Sequence, residues 1–79
     1  MTIIGPNQTA NFTGTASIDT LSLTNNNEVG NATYTISVGG AAATAHTLEH
    51  GTSDNYTVGN GQTDTVTNTG TLNIEADFE

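Results

Sequence analysis

The sequence predicts an all-β chain: a small antiparallel β-sandwich of six to seven strands. Three observations predict it. Apolar residues recur at every second position. Tyr34, Ile36 and Val38 alternate with Thr33, Thr35 and Ser37, and Leu72, Ile74, Ala76 and Phe78 alternate with Thr71, Asn73, Glu75 and Asp77. This is the period of a strand with one face on a core and one in water. Turn residues punctuate the chain about every eight to twelve residues, the spacing of sandwiches and small barrels. No stretch carries the 3.6-residue repeat of an amphipathic helix.

In chain order, Thr2–Ile4 reads as a short extended arm, broken by Gly5-Pro6. Such an arm pairs within its own subunit or with a neighbour's open edge. Gln8–Thr13, around Phe12, reads as an edge strand that Gly14 ends. Ala16–Thr24 carries Leu21 and Leu23 on one parity and Ile18 on the other. A bulge near Asp19-Thr20 would reconcile them; otherwise Ile18 faces a second sheet or a partner. Asn25–Glu28 turns the chain and Val29-Gly30-Asn31 extends the turn. Ala32–Val38 is a clean strand, stopped by Gly39-Gly40. Ala41–Ala45 has small side chains on both faces, and the glycine pair and threonines around it argue against a helix.

Thr44–His50, if extended, puts His46, Leu48 and His50 on one face. Gly51–Asp54 is a turn, Tyr56 and Val58 mark another short strand, and Gly59-Asn60-Gly61 turns again. The chain then closes in an expected hairpin. Thr63–Thr67 and Leu72–Phe78 flank Asn68-Thr69-Gly70, with Gly in the position that favours a left-handed conformation. In that register Thr67 faces Thr71, Val66 faces Leu72 and Thr65 faces Asn73.

Seventy-nine residues make one domain, 1–79, with 1–6 as the arm. So short a chain buries only about 60% of its unfolded surface. It has no cysteine, so no disulfide stiffens it. Either the sandwich is compact and well paired, or subunits share the burden by associating. Lys and Arg are absent, only 10% of residues are charged, and the net charge is -8. Seventeen Thr and ten Asn take the place of surface charge. Without a basic patch, nucleic acid is excluded as a partner and anionic membranes lose their usual attraction. No apolar run is long enough for membrane insertion, and the first residues lack the basic and apolar regions of a signal peptide. The chain then reads as a cytoplasmic product, a virion component or a protein exported by another route, with an extracellular, cell-surface or virion-surface place as the expectation.

Several stretches resemble a minimal immunoglobulin-like module of the kind repeated in bacterial and archaeal surface proteins. Leu21-Ser22-Leu23-Thr24-Asn25 followed by Asn31-Ala32-Thr33-Tyr34-Thr35-Ile36 is similar to their pair of facing strands. Leu48-Glu49-His50-Gly51-Thr52-Ser53 resembles the turn before the next strand, with His50 where those modules usually have proline. Val66-Thr67-Asn68-Thr69-Gly70 resembles the hairpin before the last strand. The similarity spans roughly residues 16–78. It implies a sandwich used for adhesion, spacing or assembly, and no activity.

The candidate sites follow from these elements. No serine has a positioned base, and no catalytic residue is assigned. Self-association through copies of the chain would use Thr2, Ile3, Ile4 and Phe12. A carbohydrate site would use Tyr34 and Tyr56 for stacking, with Asn55 as a polar partner for glycans. Both tyrosines, however, share the apolar parity of their strands. No cofactor is required; a calcium ion would use Asp54 and Asp64 from turns and Glu75 and Asp77 from an acidic stripe. His46 and His50 would lie about 13 Å apart along one strand, too far for one zinc ion. The hydroxyl rows Thr33-Thr35-Ser37 and Thr63-Thr65-Thr67 would order water if they formed a flat grid.

Overall fold

The computed structural model describes all 79 residues, Met1–Glu79. It holds eight strands and no helix: β1 Thr2–Ile4, β2 Thr9–Thr13, β3 Ile18–Thr24, β4 Ala32–Val38, β5 Thr44–Leu48, β6 Ser53–Gly59, β7 Thr63–Asn68 and β8 Ile74–Phe78. They form two four-stranded antiparallel sheets, β1-β8-β3-β6 and β2-β7-β4-β5, packed as a sandwich. The arm and the Gln8–Thr13 segment are both full members of sheets, which raises the count to eight.

The pairing is nested. Thr2 faces Ala76, Thr9 faces Thr67, Ile18 faces Gly59 and Ala32 faces Leu48. The chain is one long hairpin, turned at residues 39–43 and rolled on itself. Rolling adds two ladders, β3 on β8 and β4 on β7. Every link except β4–β5 crosses from one sheet to the other. Eight strands wound in this order make a jelly roll. An immunoglobulin order would set the last two strands side by side in one sheet; here they lie in opposite sheets.

The expected closing hairpin is therefore corrected. Val66 faces Ala10 and Ile36 rather than Leu72, and Thr67 faces Thr9 and Thr35 rather than Thr71. Likewise Thr65 faces Asn11 and Ser37 rather than Asn73. Asn68 is the physical reason. Its side chain is fully buried. Its Nδ2 donates to Ile4 O at 2.9 Å and Leu72 O at 2.7 Å, and its Oδ1 accepts from Gly70 N at 2.9 Å. These bonds carry the chain across the core. Gly70 keeps a negative φ, and a Cβ there would stand 2.8 Å from Thr33 Oγ1. It serves close approach, not a left-handed turn.

No bulge interrupts β3, which pairs with β6 without a break from Ile18 to Thr24. Asp19, Leu21 and Leu23 point inward, and Ile18 is 70% exposed. Asp19 tolerates burial because its Oδ2 accepts from the backbone of Thr15 at 2.8 Å and Ala16 at 3.2 Å. Period-two alternation then fills the space between the sheets with Leu21, Leu23, Tyr34, Ile36, Val58, Val66 and Ile74. Asn25, also fully buried, ties Leu48 O and Gly30 O to its amide, as Asn68 does at its own crossing.

Candidate functional site

On one long side of the sandwich, β5 and β6 are the outermost strands of their sheets. Behind them lies a cluster of Tyr34, His46, Asp54 and Tyr56. β4 and β5 set Tyr34 directly opposite His46, and their rings stack at 5.3 Å. Tyr56 presents an edge to His46 at 6.4 Å. The hydroxyl of Tyr34 crosses between the sheets and donates to Asp54 Oδ2 at 2.6 Å. That donation commits its only proton. Tyr56 must then be the donor in the 2.5 Å contact between the two hydroxyls.

Burial pushes the Tyr34 phenol far above its ordinary range, helped by the bond it donates to the Asp54 carboxylate. Burial also raises Tyr56, with smaller contributions from Asp54 and Asp64. Both phenols stay neutral wherever the sandwich is folded at ordinary pH. The cluster is a polar clasp between sheets, with Tyr56, Asp54 and His46 half-buried at its open side.

The sequence-derived sites fare differently. Tyr34 has no exposed ring face to offer a sugar. Asn55 points to the opposite face of β6 from Tyr56, where its Oδ1 accepts from Ser22 Oγ at 2.6 Å. The three carbohydrate candidates do not share a surface, because consecutive strand residues alternate faces. The metal candidates also separate. Asp54 and Asp64 lie within strands rather than on turns, and both face inward. Glu75 and the exposed Asp77 flank the buried Ala76 on the opposite parity of β8. No three His, Asp or Glu side chains meet as a set able to hold a metal. Asp64 Oδ1 instead accepts from Gly39 N at 3.1 Å and Gln62 Nε2 at 3.0 Å, and its Oδ2 has no partner. His46 lies on β5 and the exposed His50 in the turn beyond it.

Of the self-association candidates, Ile4 and Phe12 are core residues at 1% and 8% exposure. Thr2 and Ile3 remain exposed, but their strand pairs with β8 of the same chain. The arm closes its own sheet. The side-chain roles of His46 and Asp54 escaped the sequence reading. For His46 the one signal is the Gly39-Gly40 break, which makes β4 and β5 a hairpin and sets Tyr34 opposite His46; Asp54, on the other sheet, has none.

Two surfaces complete the description. The outer face of the second sheet gathers both hydroxyl rows beside Thr9, Asn11 and Thr13. Cross-strand bonds fix Thr9 to Thr67 at 2.9 Å, Thr13 to Thr63 at 2.8 Å and Thr65 to Asn11 at 2.7 Å. No strand of this sheet carries an outward-facing acid; Asp64, on β7, faces inward. At its end an open polar depression is lined by Ser37, Gly39, Asn60, Gln62, Thr63 and Thr65. Compared with family models, curated proteins and solved structures, the chain matches none.

Proposed function

We propose that the chain is a non-catalytic structural subunit that associates with copies of itself on a particle, filament or surface. One observation carries this reading: β6, a seven-residue strand, ends its sheet with no strand beyond it. An open edge is a template for another chain unless proline, lysine, a bulge or brevity blocks it. β6 has none of these four, and its one inward-pointing acid, Asp54, is held by the Tyr34 hydroxyl. At the other end of the sheet, β1 is only three residues long. Jelly rolls serve as capsid subunits, lectins and cupins alike, so the fold alone does not choose among roles.

Light scattering from micromolar to millimolar concentration tests the reading. The mass should rise to a multiple of 8.1 kDa. Salt should favour the rise, because copies at -8 repel one another. A mass of 8.1 kDa at every concentration and salt level overturns it.

Glycan binding is the second reading, now moved from the tyrosines to the polar depression around Gln62 and Thr65. The depression favours it because hydroxyls and amides converge there without charge. A panel of oligosaccharides that shifts no amide signal of Gln62, Thr63 or Thr65 rejects it.

A further inference from the structure

We infer that β6 pairs antiparallel with β6 of a second copy, about a two-fold axis at Asn55. The inference rests on the self-association reading and names its surface. Thr20 exchanges both backbone bonds with Glu79, on the β8 side of β3. Alternation therefore turns the backbones of Leu21 and Leu23 to β6, where they face Tyr56 and Asp54. The bond from Asn25 N to Thr52 O, at 3.1 Å, continues that parity. The N–H and C=O groups of Ser53, Asn55 and Thr57 consequently point to the free edge. A two-fold axis at Asn55 pairs Asn55 with its own copy and Ser53 with the copy's Thr57. All three free residues are then bonded, and the two sheets become one of eight strands.

Length favours this edge over the others, since β1, β2 and β5 span three, five and five residues against seven, and charge does not oppose it. In the order β1-β8-β3-β6, the acids Glu75 and Asp77 stand on β8, two strands away. Outward from β6 come Ser53, Asn55 and Thr57, all exposed and uncharged. Its one acid, Asp54, faces inward to Tyr34, and the register sets it opposite Tyr56 of the copy rather than another Asp54. The half-buried Tyr56 and His46 lie at the same side, so a copy seated there covers aromatic surface as well as backbone.

Two variants test the edge. Thr57→Pro removes a free-edge N–H and leaves the β3 ladder intact, a position where a strand tolerates proline. Association should weaken by about tenfold or more, since two symmetric bonds are lost. The second variant, Asn55→Cys, gives a chain without other cysteines a single thiol at the axis. Directly opposed residues there lie about 5.5 Å apart, within disulfide reach. Mild oxidation should yield a covalent dimer, while Thr20→Cys, on β3 of the same face, should not. If the native chain associates but Asn55→Cys crosslinks no better than Thr20→Cys, the edge assignment fails and self-association stands. If the native chain never exceeds one subunit in mass, the functional reading fails too. Should Thr57→Pro unfold, the cysteine pair decides alone.

Discussion

Tyr34 joins the two sheets through Asp54, its hydroxyl 2.6 Å from the carboxylate. The ring is wholly buried, yet its polar end meets an acid from the other sheet. Tyr34→Phe removes the donor and leaves Asp54 and Tyr56 without it. A loss of about 1–2 kcal/mol is expected. Urea unfolding should show a lower midpoint with an unchanged slope, because the buried surface hardly changes.

Alkaline pH should act through the same pair. Both phenols are raised above the ordinary 10.0 in the folded chain. The unfolded chain therefore gives up these protons first as pH rises. The stabilisation is complete below pH 10 and is lost as pH climbs from there towards the folded values. Phenolate absorbance should appear together with the loss of β circular dichroism, not before it. Ionisation in a fully folded chain near pH 10 would contradict this.

Ile4 anchors the arm. At 1% exposure it packs in the core while β1 pairs with β8. Ile4→Ala should cost about 3 kcal/mol, and removal of residues 1–5 should lower the melting temperature of the monomer itself. An arm that served only to join subunits would leave monomer melting unchanged.

Gly14 marks where β2 hands over to β3. A Cβ there would stand 2.1 Å from Gly59 O and 3.1 Å from Val58 O, both backbone atoms. Gly14→Ala should therefore cost about 3 kcal/mol through forced displacement. Gly40→Ala is the comparison: a Cβ there meets nothing, although its φ of 84° is strained for alanine. Thermal unfolding of the two variants separates collision from conformational strain.

The alternation of Ala32–Val38 and Leu72–Phe78 made strands and inward faces legible in the sequence. Which sheet each strand joins was not legible, because a period of two is identical in either sheet. Asn68-Thr69-Gly70 has the composition of a hairpin loop, and only the placement of β7 and β8 in opposite sheets shows that it is a crossing, with Asn68 buried at it. The same ambiguity hid the clasp. Tyr34 and Tyr56 were identified as inward residues, but their meeting with Asp54 depends on two sheets closing over one another. Asp54 and Asp64 adjoin turn residues and read as calcium candidates on turns; each lies in a strand with inward parity instead.

Amide hydrogen exchange along β6, followed as concentration rises, tests the assembly edge most directly. Ser53, Asn55 and Thr57 should exchange fast in dilute solution and slow as the mass grows. Asp54, Tyr56 and Val58, bonded to β3, should be protected throughout. Fast exchange at Ser53, Asn55 and Thr57 in a solution whose mass has already doubled would contradict pairing through β6.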